Sequence, residues 1–356
     1  MRVSPARLGA PFAWRLALSI AGLVCAVQAQ AVTCVGSAPL RGVNMAGAEF
    51  NPGKHPATAG KDYVYPQASE LAYFAGKGMN VIRLPIRWER IQPALLQPLD
   101  SAELARIDAT VHAAAAQGLC VILDMHNYGV YQRQGIGSRE VPITAFTDVW
   151  IRLARAFPDA DRVAFGLMNE PNLIPIATWA QAAQAAASAI RAAGATNLVL
   201  VSGGRWSGAH EWMREFGGTS NAREFAGLRA NGGPLAIEVH QYLDGDFSGT
   251  HQNCIDPARV AGIMAPVVAW ARHNGQRLFL GEFGTPPSES CLAALDALLA
   301  QTTDAAVWRG WAYWAAGAWW GPGYPLSIQP LGGQDAAQMD VLRKYLAANA
   351  DETEKR

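Results

Sequence analysis

A (β/α)8 barrel is the fold class this sequence predicts, and three observations carry the prediction. Apolar strand-like segments alternate with helical ones along nearly the whole chain. Eight such strands end near Ala46, Leu84, His126, Glu170, Ser202, Gln241, Glu282 and Trp314, at steps of 32 to 44 residues, the length of a strand with its crossover helix. The strands are also almost continuously apolar, as parallel strands covered on both faces must be. An open doubly wound sheet is the rival. No strand, however, is followed by the glycine fingerprint of a dinucleotide fold, and Gly135-Ile-Gly137 lies in a loop.

The chain begins with Arg2, Arg7 and Arg15 around and before an apolar run, 16–27, followed by the small residues of Gln28-Ala-Gln-Ala31. About 12 apolar residues are too few to span a bilayer, so 1–31 reads as a secretory signal peptide rather than an uncleaved anchor. Bulky Val24 argues against lipid attachment at Cys25. The barrel domain is then 32–350. Strand character at 40–47 and helical periodicity at 67–77 open it, and a strand at 80–85 follows. Next come helix 101–117, strand 120–126, helix 144–157, strand 163–169, helix 178–193 and strand 198–202. After a looser stretch, 203–234, come strand 236–241, helix 258–273, strand 278–282, helix 289–300, strand 308–315 and helix 336–348. The Ala-rich run 181–193 suits a helix that packs by small residues, and the charged tail 351–356 reads as a frayed end.

Removing the leader takes away three Arg and no acid, leaving 26 basic against 29 acidic residues. That balance provides no basic footprint for nucleic acid, and no later stretch is apolar for long enough to cross a membrane. The expectation is a secreted monomer with no cofactor and no metal. Export leaves Cys34, Cys120, Cys254 and Cys291, an even set in an oxidising compartment, so two disulfides are expected. Three pairings are possible. Cys254 and Cys291 fall in loops after two late strands, which favours Cys254–Cys291 with Cys34–Cys120 as the remainder. A structural zinc site would want a C-x2-C spacing that the chain lacks.

Barrels of this kind place their chemistry at the carboxyl-terminal ends of the strands. Those ends carry Arg83, His126, Asn169 with Glu170, His240 with Tyr242, Glu282 and Trp314. Each taken alone has a plain structural explanation, such as a core histidine or half an ion pair; their coincidence at successive strand ends favours one site. Glu170 and Glu282 each close an apolar run and are followed at once by chain-breaking Pro171 or by Phe283-Gly284. Two carboxylates across a barrel mouth suit acetal cleavage, one delivering a proton and the other meeting the oxocarbenium-like centre. Asn169 suits a sugar 2-hydroxyl, and Arg83 and Tyr242 suit holding Glu282 ionised. Twelve tryptophans add flat apolar faces for pyranose rings. Trp88, Trp206, Trp212, Trp319 and Trp320 are expected in the mouth loops, with Trp206 and Trp319 taken as substrate contacts. Trp150, Trp179, Trp270 and Trp308 are expected in the core.

The motifs Arg41-Gly-Val-Asn-Met-Ala-Gly47, Ile-Arg83-Leu-Pro, Leu-Asp-Met-His126-Asn-Tyr, Met-Asn169-Glu170-Pro, Val-His240-Gln-Tyr242, Gly-Glu282-Phe-Gly and Trp-Ala-Tyr-Trp314 together resemble glycoside hydrolase family 5, above all its secreted endo-β-1,4-glucanases. The likeness spans about residues 40–345. It implies a retaining barrel hydrolase of β-glucan with Glu170 as acid/base and Glu282 as nucleophile. Arg83, His126, Asn169, His240, Tyr242 and Trp314 would surround the cleaved sugar, and a disulfide would join the positions of Cys254 and Cys291. A mannanase or xyloglucanase on the same barrel is the alternative, followed by a non-catalytic glycan-binding protein.

Overall fold

The computed structural model describes residues 1, 2, 4, 33–229 and 231–346. Apart from Met1, Arg2 and Ser4, the expected leader lies outside the described residues, as does the tail 351–356. Contacts divide the chain into the units Met1–Ala31 and Val32–Arg356, and the barrel belongs to the second.

Eight parallel strands close into a ring: β1 (Leu40–Met45), β2 (Val81–Ile86), β3 (Cys120–Met125), β4 (Val163–Gly166), β5 (Val199–Ser202), β6 (Leu235–His240), β7 (Leu278–Glu282) and β8 (Trp308–Ala316). Each neighbours the next in sequence, and β8 closes on β1. The helices that follow the strands are α1 (Ala68–Gly76), α2 (Ser101–Ala115), α3 (Ile143–Ala156), α4 (Ile176–Ala192), the short α5 (Asn221–Glu224), α6 (Val260–Asn274), α7 (Glu289–Ala300) and α8 (Gln338–Leu346). Local chemistry sets their ends. Asp100 accepts from the Glu103 amide at the start of α2, Ser288 accepts from the Cys291 amide at the start of α7, and left-handed Gly275 ends α6.

Side chains alternate across each strand and divide the apolar residues into two bodies. Leu40, Val81, Ile122, Leu200, Ala236 and Phe279 fill the lower barrel. Val43, Leu84, Leu123, Phe165, Val201 and Leu280 face the helices. In α4, Ala182, Ala183, Ala186 and Ala187 are fully buried, so the Ala-rich run packs as its composition suggested. Both expected disulfides form, Cys34–Cys120 with Cα atoms 5.3 Å apart and Cys254–Cys291 with 5.1 Å.

Two local readings needed correction. β4 ends at Gly166, three residues early, because only single bonds continue its course: Leu167 N–H to the Leu200 carbonyl and Asn169 N–H to the Met125 carbonyl. Trp88 and Trp212 are fully buried rather than displayed in mouth loops. Trp88 opens a helical turn, Trp88–Ile91, with its ring against Tyr131 and Phe146, while Trp212 packs on Trp270 and Phe225. Ring burial in these connections outweighs their loop position.

Candidate active site

The strand register gathers the polar residues. Asn44 on β1 pairs with Arg83 on β2, and a bulge after Val239 brings His240 of β6 beside Glu282 of β7. Above them opens a cavity of about 780 Å³ lined by His126, Glu170, Trp206, His240, Tyr242, Glu282 and Trp314, among others. Arg83 and Asn169 are fully buried beneath it. Trp319 is 38 % exposed and is not part of this lining, so the structure does not bring it to the cavity.

Glu282 is held at both oxygens. Arg83 Nη1 donates to Oε1 at 2.9 Å and the Tyr242 hydroxyl donates to Oε2 at 2.9 Å. Burial raises the Glu282 pKa and the Glu170 charge adds to that rise, while His240 and Arg83 pull it down. Glu170 sits just after β4 at φ 42°, a costly left-handed conformation for a glutamate. Three other lining residues, Tyr128, Arg205 and Phe247, share positive φ, so strain concentrates around the cavity. An oxygen of Glu170, a ring nitrogen of His240 and an oxygen of Glu282 lie within 4.8 Å of one another.

The two histidines are in opposite states. His126 donates Nδ1–H to Asp124 at 2.7 Å, which leaves Nε2 to accept from Asn169 Nδ2 and the Tyr128 hydroxyl, both at 3.2 Å. Burial pushes its pKa down to about 3, so the ring is neutral. The Asn169 amide is thereby fixed, its oxygen taking Arg83 Nη2 at 2.7 Å. His240 donates Nδ1–H to Glu170 at 2.8 Å and Nε2–H to Glu238 at 3.0 Å. Burial opposes its charge, but Glu282, Glu170 and Glu238 outweigh burial and push its pKa up to about 10. Both ring nitrogens therefore carry protons and offer a metal ion no lone pair. In a second acid–histidine cluster, Asp244, Asp246 and His251, Asp244 is taken up by the amides of Gly249, Thr250 and His251 and braces its loop.

The structure gathers the expected strand-end residues, but sequence reading missed Asn44, Asp124 and Glu238, which meet Arg83 within the barrel. Asp124 lies 3.1 Å and Glu238 2.8 Å from Arg83 Nη2, and Asn44 accepts from Nη1 at 2.8 Å. The signal was a spacing of two: Asp124 precedes His126 and Glu238 precedes His240 on the same strand face.

A closed parallel barrel with two carboxylates over an aromatic-lined cleft is the equipment of a glycoside hydrolase. Residues 41–317 match the model of the cellulases, glycosyl hydrolase family 5. A probable endo-beta-1,4-glucanase B of Neosartorya fischeri is 34 % identical over 311 residues, covering 86 % of this chain and 91 % of its own. An endo-beta-1,4-glucanase of Xanthomonas axonopodis pv. citri has a similar structure, with TM-score 0.86 and 46 % identity over 87 % of this chain and 99 % of its own. XacCel5A, solved in complex with cellopentaose, superposes with TM-score 0.85 at 48 % identity, covering 87 % and 100 %. The chain belongs to the cellulases of glycosyl hydrolase family 5.

Proposed function

We propose that the chain is a secreted, monomeric, retaining endo-β-1,4-glucanase in which Glu170 is the acid/base and Glu282 the nucleophile. The observation that carries this reading is the approach of the two carboxylates, oxygen to oxygen within 4.8 Å. So close an approach fits the roughly 5–5.5 Å carboxyl separation of double displacement better than the about 6.5–9.5 Å of inverting enzymes.

Glu282, aimed by Arg83 and Tyr242, attacks the anomeric carbon while the bond to the leaving oxygen breaks and Glu170 protonates that oxygen. Glu170, now a carboxylate, takes a proton from water, whose oxygen displaces Glu282 and restores the β configuration. Asn169, clamped between Arg83 and His126, orients an amide toward the 2-hydroxyl, a contact that strengthens in the transition state. Trp314, its Nε1–H donated to the Tyr324 hydroxyl at 2.9 Å, offers one wall to the sugars. Trp206, 49 % exposed, offers another. A relative's complex with cellopentaose supports a β-1,4-glucan chain as the substrate. The basic and apolar leader 1–31 and the two disulfides support export to an oxidising compartment.

Reducing ends and viscosity measured together on carboxymethyl cellulose, with mannan and xyloglucan alongside, test the reading. Endo-cleavage of β-1,4-glucan drops viscosity well ahead of reducing-end release. Preferential release from mannan, or none from any β-glucan, would overturn it.

A further inference from the structure

The two histidine–carboxylate pairs share a spacing of two residues and differ in which ring nitrogen they use. Asp124 takes Nδ1 of His126, whereas Glu238 takes Nε2 of His240 and so turns Nδ1 toward Glu170. We infer that Glu238 is a positioning residue for the acid/base: through His240 it fixes the orientation of Glu170 and the N–H that the histidine presents to it. This rests on the proposal that Glu170 is the acid/base.

Glu238 is 2 % exposed, and its Oε1 receives both His240 Nε2 at 3.0 Å and Arg83 Nη2 at 2.8 Å. The space it occupies is reserved for it: a Cβ on Gly281 of the adjacent strand would stand 2.3 Å from Glu238 Oε1. The groups facing His240 come from four strands and the loop after β4. They are Glu170, Glu282 at 3.8 Å, Glu238 on its own strand, Arg83 behind Glu238, and Asp124 with His126 from β3. Its backbone N–H is tied to the Ser207 carbonyl at 2.9 Å, so the ring has a fixed origin.

With Nε2–H pinned by Glu238, one mobile proton is left between His240 Nδ1 and Glu170 Oε1. The pair gives that proton to the leaving oxygen in the first step and recovers one from the attacking water in the second. A neutral group at position 238 weakens the hold on the cationic ring, so the pair sheds its proton at lower pH.

Glu238→Gln and Glu170→Gln are compared across pH on a soluble β-glucan and on a dinitrophenyl cellobioside, whose leaving group departs without protonation. For Glu238→Gln the alkaline limb of kcat/KM on glucan moves toward acid by about one pH unit or more, while glycosylation by the aryl substrate stays within about twofold of wild type. Glu238→Asp, which keeps the charge, restores most of the limb. Limbs that stay in place, or equal losses on both substrates, overturn the inference. If Glu170→Gln also loses equally on both, the acid assignment itself has failed. Should Glu238→Gln not fold, the 15N-edited imidazole spectrum of the wild type decides: two N–H signals from His240 persisting above pH 8 support the relay, and their loss near pH 6.5 contradicts it.

Discussion

Arg83 and Glu282, 199 positions apart in the chain, meet at 2.9 Å in the barrel interior, and that ion pair ties the lower polar layer to the floor of the cleft. Arg83 is fully buried, and although burial alone would lower its pKa, Asp124, Glu238, Glu282 and Glu170 hold it firmly protonated. The guanidinium therefore acts as a fixed counter-charge that keeps one Glu282 oxygen in place while the other faces Tyr242.

Replacing Glu282 with Ala removes the proposed nucleophile without emptying the aromatic walls. Turnover of soluble β-glucan falls by about 10³-fold or more, while cellopentaose still binds with an affinity near that of wild type. Azide added to the variant with an aryl cellobioside restores turnover and gives the α-glycosyl azide. Unchanged turnover removes the nucleophile assignment.

Trp206 and Trp314 bracket the cleft, and Trp206 presents almost half its surface to solvent. Trp206→Ala removes an exposed stacking face without touching either carboxylate. KM on soluble glucan then rises by about 5- to 30-fold, the equivalent of roughly 1–2 kcal/mol, with kcat little changed.

Glu49 lies buried in the loop after β1, where it accepts the Gly47 amide at 2.7 Å, and burial pushes its pKa up to about 8. The folded chain thus holds a proton that the unfolded chain releases near pH 4.5. A raised carboxyl pKa means stability fully present below that lower value and lost as pH rises toward about 8. Glu49→Gln keeps the acceptor for Gly47 and removes the titration. Its stability relative to wild type increases between pH 5 and pH 8 in denaturant melts; a constant difference would contradict the assignment.

Cys34–Cys120 ties the segment before β1 to the start of β3 across 86 residues. Loop-closure entropy for that span corresponds to about 4.6 kcal/mol. The Cys34→Ser, Cys120→Ser double variant unfolds at lower denaturant by that order, and Cys254→Ser, Cys291→Ser, closing 37 residues, by slightly less.

The barrel was legible because its signals are local and repeated: each strand is an apolar run, and all but the fifth are followed by a periodic helix. Glu170, Glu282, Arg83 and both histidines were visible for the same reason, at strand ends where solvent-facing chemistry begins. Asp124 and Glu238 escaped because a carboxylate inside an apolar run looks like a minor irregularity until the ring closes and five polar side chains converge. Trp88 and Trp212 were misplaced because a connection's sequence position does not say whether its ring turns to the cleft or folds under toward the helices. Glu49 had no signal, since its burial depends on how the first loop lies over the barrel.

The roles proposed for Glu170 and Glu282 predict a stereochemical outcome, and proton NMR of the reducing end released in the first seconds of soluble β-glucan hydrolysis reads it directly. The β anomer appearing first, with the α anomer growing in only by mutarotation, is the expected result. An α anomer formed first would show single displacement and contradict the assignment of Glu282 as nucleophile.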